Sequence, residues 1–167
     1  MKLLKSLALG ALGLVLSVSP SLARVEEGTY ELLQTLGDNG ISVVYNTGSC
    51  DGTVYGLYMW SGFRRELVLC PGDTVTAIDH ATVRHEVAHA IQHCMNVYEK
   101  RPLNTPIMEI NKLVDAVNTL LSQERVREIK SLYPEDEWAV EFEANIMAEI
   151  FNATELQEMF LNACTAK

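Results

Sequence analysis

The chain has 167 residues, 48% of them hydrophobic and 21% charged, with a formal net charge of −9. That length supports one domain with a core of its own. The acidic balance argues against nucleic acid and anionic membrane surfaces as partners.

Residues 1–23, MKLLKSLALGALGLVLSVSPSLA, place Lys2 and Lys5 before an apolar run from about Leu7 to Val18 and end on Ser21-Leu22-Ala23. A basic start, an apolar middle and a small-residue end form the pattern of a secretory signal peptide. A run of about a dozen apolar residues falls short of the roughly 20 that a membrane-spanning helix needs. The expectation is a signal peptide over 1–23, export to the periplasm or the medium, and a single domain over 24–167 with no stable membrane insertion after cleavage. Because the leader carries two lysines and no acid, its loss takes the net charge from −9 to −11.

Residues 25–36 predict a short helix, closed by the turn Gly37-Asp38-Asn39-Gly40. Three β-rich runs follow, ISVVY (41–45), TVYGLYMW (53–60) and ELVLC (66–70), separated by Gly, Asn and Asp clusters. Such spacing predicts an antiparallel meander of about three strands. Four cysteines, Cys50, Cys70, Cys94 and Cys164, with no C-x-x-C spacing, suggest two disulfides in an exported domain. In a meander the first turn and the end of the third strand share an edge, which pairs Cys50 with Cys70 and leaves Cys94 for Cys164.

After Pro71 the pattern is helical. Thr74 or Thr76 caps a helix to about Met95, residues 107–131 form one helix or two, and Pro134-Glu135-Asp136 starts a helix to about Phe151. Asn152-Ala153-Thr154 matches an N-glycosylation pattern, but reads better as the cap of a last helix to about Ala163. The fold class is therefore α+β, a small sheet followed by a mostly helical half.

The stretch TVRHEVAHAIQHC (82–94) holds three of the four histidines. On a helix His85 and His89, four apart, share a face and can point at one ion, while Val83, Val87, Ala90 and Cys94 form an apolar stripe. Glu86 lies one residue step round, within reach of a water on that ion. This is H-E-x-x-H, in which two histidines bind zinc and the glutamate is the general base. His93 does not complete the set as in a metzincin, because Gln92 and Met95 stand where the glycine and the third histidine belong. His80 reads as a surface residue.

A catalytic zinc takes three protein ligands, and EWAVEFEANIMAE (137–149) offers the third. Glu137, Glu141, Asn145 and Ala148 share one helix face, and Val140, Ala144, Met147 and Phe151 share an apolar one. Glu143 lies about 200° round from Glu141, so the two do not both face the metal. Asn145, one turn beyond Glu141, is a candidate to accept a hydrogen bond from a ligand histidine.

His85-Glu86-x-x-His89 followed by Glu141-Phe142-Glu143-Ala144-Asn145 resembles the gluzincin metallopeptidases, and the order and size are similar to the minigluzincin form. The resemblance implies a zincin-like fold with an active-site helix and a glutamate helix, and one Zn2+ per chain held by His85, His89 and Glu141. It further implies Glu86 as general base, a peptide or protein substrate, and binding of that substrate along a sheet edge such as ELVLC or TVYGLYMW. Many relatives have aspartate where Asn145 stands. A tyrosine or histidine is expected to stabilise the oxyanion, and His93, Tyr98 and Tyr133 are the candidates. Two other readings stand beside the peptidase: a catalytically silent binding domain with a structural zinc, and a disulfide-stapled domain in which the motif is coincidental.

Overall fold

A computed structural model describes residues 28–45, 48, 50, 55–70 and 80–165. The expected signal peptide, the caps at Thr74 or Thr76 and most of the turn before β2 lie outside the described residues. The element order is α1 (Thr29–Asp38), β1 (Ile41–Tyr45), β2 (Gly56–Ser61), β3 (Arg64–Leu69), α2 (His80–Glu99), α3 (Ile110–Leu120), α4 (Gln123–Leu132), α5 (Trp138–Ile150) and α6 (Ala153–Thr165). The class is α+β, with a three-stranded sheet and six helices among the described residues.

The sheet is not a meander. Its strand order is β1-β3-β2. β2 and β3 form the expected antiparallel hairpin, with Tyr58 opposite Leu67, but β1 lies parallel to β3, with Val43 opposite Leu67. The physical reason is burial. Leu67, Val68 and Leu69 are all buried, so β3 belongs in the middle, where both edges are covered. Successive strands alternate in direction, so inserting β3 between β1 and β2 makes the β1 pair parallel. Tyr45 and Gly56 then flank Leu69 on opposite sides. Cys50, between them in sequence, is bonded to Cys70, the residue after Leu69. The expected pairing holds, although the topology used to reach it was different.

The core lies between the sheet and α1, α2, α5 and α6. Leu32 and Leu36 of α1, Leu67 of β3, Val83, Val87 and Ala90 of α2, Ala144 of α5, and Leu156 and Phe160 of α6 are all fully buried. At about 1.5 Å per residue, the 20-residue α2 spans roughly 30 Å, and its apolar stripe faces this core. Ala88 and Ala144 are both fully buried, and their small side chains allow α2 and α5 to pack closely. Arg84 Nε donates to Ala148 O at 2.7 Å across the same pair. Cys94–Cys164 ties α2 to α6.

The 107–131 stretch resolves into two helices. Leu121 has an extended backbone and Ser122 caps α4, its hydroxyl accepting from Arg125 N at 3.1 Å. α5 begins after a turn at 134–137 rather than at Pro134. The cap at Asn152 is a reciprocal box: Asn152 Oδ1 accepts from Glu155 N, and Glu155 Oε2 accepts from Asn152 N. Two disulfides suggest an oxidising compartment, and none of the described helices is long and apolar enough to cross a membrane.

Candidate metal centre

α2 and α5 bring His85, His89 and Glu141 together. The two Nε2 atoms are 3.1 Å apart, His85 Nε2 is 3.3 Å from Glu141 Oε2, and His89 Nε2 is 3.3 Å from Glu141 Oε1. The imidazoles meet edge to face, at 89°. Two ring nitrogens and a carboxylate facing one point need a cation or protons between them, because all three offer lone pairs. Tetrahedral zinc with ligands at about 2.0–2.1 Å separates its ligand atoms by about 3.3 Å, so the spacing fits a zinc-sized ion. Glu141 Oε2 is buried and has no hydrogen-bond partner among the described residues. The group could hold a metal ion.

The electrostatics agree. Burial would pull His89 down, but the adjacent Glu141 carboxylate, together with Glu86, outweighs it and raises the imidazole from 6.5 to about 9. Burial would push Glu141 up, yet the adjacent His85 and His89 imidazoles hold it at about 2. In the metal-free protein a proton does part of the work of a cation.

Glu86 is only 6% exposed. Burial raises its pKa against the lowering pull of His85, His89 and the nearby Tyr58 backbone on β2. β2 approaches so closely because residue 56 is glycine. A Cβ there would lie 2.9 Å from Glu86 Cγ and 2.6 Å from Thr82 Cγ2.

A cavity of about 520 Å³ opens on this group, a size suited to a ligand of moderate dimensions. Trp60, His93, Leu103, Tyr133 and Val140 line it, with Asp136 and Glu137 also in its wall. Tyr133 shares this wall with Glu141, and burial followed by the Glu141 and Glu86 charges raises its pKa. His93 Nδ1 is engaged with Tyr58 Oη at 2.7 Å, and its ring lies 4.9 Å from that of Trp60; burial, then Arg65, lowers its pKa. Tyr98 does not line the cavity and is 73% exposed.

Asn145 is not placed as expected. Its Nδ2 donates to Glu141 O, one turn back, and its Oδ1 accepts from Arg125 Nε at 2.8 Å. A short amide on a helix readily closes onto the i−4 carbonyl, and α4 supplies a charged donor for its oxygen. His85 Nδ1 is buried without a hydrogen-bond partner among the described residues. His80 is half-buried rather than on the surface, its Nδ1 3.0 Å from Thr29 Oγ1.

Two residues to which sequence reasoning gave no role stand beside the site. Gln92 Oε1 is 2.8 Å from His89 Nδ1, and its Nε2 donates to Val140 O and Glu143 Oε2. Glu143, 1% exposed, faces away from Glu141 and accepts from the backbone N–H groups of Ile107 and Met108 as well. Spacing held a usable signal for Gln92, since i+3 from a ligand histidine is one helical turn. No family model matches the chain, and no curated protein or solved structure gives a significant match.

Proposed function

We propose that the protein is an exported zinc-dependent peptidase of gluzincin type, with His85, His89 and Glu141 as ligands of a single Zn2+. The observation that carries the reading is the convergence of these three groups at zinc-like spacing, with a buried glutamate next in sequence to one of the histidines. A site that only stabilised the fold would have no use for that carboxylate. The leader-like segment 1–23 and the two disulfides support export.

Bound zinc supplies Lewis acidity and lowers the pKa of water to about 7. Glu86 removes the proton as water attacks the peptide carbonyl and delivers it to the leaving amine. Its burial and its raised pKa suit a group that must both take and give a proton. Tyr133 is the better of the remaining oxyanion donors, because it lines the cavity together with Glu86 and Glu141, whereas His93 is committed to Tyr58. A substrate strand lies along β2, which sits at the sheet edge beside the cavity.

The test combines zinc stoichiometry with a peptide-library digest of wild type and Glu86→Gln. Both proteins are expected to carry one zinc, and the variant to lose about 10²–10⁴-fold in turnover. Zinc-loaded wild type that cleaves nothing while binding peptides would favour the silent binding domain, and absence of zinc would remove both metal readings.

A further inference from the structure

We infer that Gln92 is a positioning residue that holds His89 in the tautomer able to bind a metal through Nε2, and that buried Glu143 sets the direction of the Gln92 amide. This deepens the zinc reading and rests on it for its functional meaning.

A glutamine amide can turn over, exchanging donor for acceptor, so what fixes Gln92 has to come from its partners. Its nitrogen faces two groups that only accept, Val140 O at 3.0 Å and Glu143 Oε2 at 2.9 Å. Turning the amide would aim its oxygen at both, in a place where Gln92 is 2% exposed and Glu143 1%. Glu143 cannot move to relieve this, because its two oxygens also hold the N–H groups of Ile107 and Met108. Gln92 Oε1 therefore faces His89 as an acceptor, and His89 Nδ1 must carry a proton. In the neutral ring that leaves the Nε2 lone pair free, pointing at His85 Nε2 and Glu141. Asn145 does not serve in this way, since both ends of its amide bond elsewhere. His85 Nδ1 has no such partner, so among the described residues only the His89 ring is fixed. Two glutamates of α5 thus act on opposite faces, Glu141 at the ligand position and Glu143 behind His89.

The experiment reads histidine ring ¹⁵N shifts in the metal-free protein, above the pH at which His89 becomes neutral, and zinc affinity by chelator competition. In wild type, His89 is expected as the Nδ1–H tautomer alone, with His85 a mixture. Gln92→Met keeps the length and removes the hydrogen bonds. It should release His89 toward Nε2–H and weaken zinc by about 10–100-fold, while Asn145→Ala, which touches neither ring, changes zinc affinity far less. Weaker zinc with the His89 tautomer unchanged would reduce Gln92 to a packing role, and a released tautomer with unchanged affinity would remove it as a positioning residue. If Gln92→Met does not fold, the wild-type spectrum decides: substantial Nε2–H at His89 overturns the inference. If wild type binds no zinc, the metal reading fails and the same spectrum still decides on Gln92.

Discussion

Glu86 and Gly56 show how one residue constrains another across elements. The carboxylate reaches its place because β2 presents no side chain at Gly56, where the strand comes closest. Gly56→Ala introduces a Cβ 2.9 Å from Glu86 Cγ, so either the strand or the glutamate must shift. Overpacking of this kind costs about 1–3 kcal/mol. The expected result is lower thermal stability and a large fall in turnover with zinc content unchanged, measured by calorimetry, peptide cleavage and metal analysis on one preparation. Full activity in Gly56→Ala would mean that the position of Glu86 is not set by β2.

At the scale of elements, α2 carries most of the arrangement: two imidazoles and a carboxylate on one side, and the core stripe on the other. Its far end is held to α6 by Cys94–Cys164, which closes a sequence separation of 70 residues, against 20 for Cys50–Cys70. Loop entropy makes the longer closure the more stabilising of the two. Replacing Cys94 and Cys164 together by serine should cost about 2–4 kcal/mol in denaturant unfolding, and the corresponding Cys50/Cys70 variant less; the opposite order would locate the dominant constraint in the sheet. Sequence made α2 and α5 legible because their periodicity and the H-E-x-x-H spacing are local, and α6 because Asn152 and Glu155 form a local cap. The order β1-β3-β2 was not legible, since it depends on which strand is buried deepest, a property of the whole sheet. The same holds for Asn145: its partner Arg125 comes from α4, and helix-face arithmetic on α5 alone does not foresee it. Gln92 and Glu143, 51 residues apart in sequence, belong to the same class of non-local pairing.

For the whole molecule, the metal-free site makes stability depend on pH. His89, raised from 6.5 to about 9, contributes stability that is complete below 6.5 and is lost as pH climbs through 9. Glu86, raised from 4.5, acts in the same direction, its contribution present below 4.5 and lost as pH rises. Glu141, lowered from 4.5 to about 2, contributes above 4.5 and loses that only as pH falls through 2. The Tm of the metal-free protein should therefore decline between pH 6.5 and 9, and saturating zinc, which takes the place of the His89 proton, should flatten the decline. A metal-free Tm that rises over this interval would show that His89 is not paired with Glu141.

The most direct measurement is a crystal structure of the zinc-loaded protein with the metal located by anomalous scattering at the zinc edge. The expected map shows one zinc per chain within bonding distance of His85 Nε2, His89 Nε2 and the Glu141 carboxylate. Zinc bound elsewhere, or held by the two imidazoles with Glu141 turned away, would contradict the proposed centre.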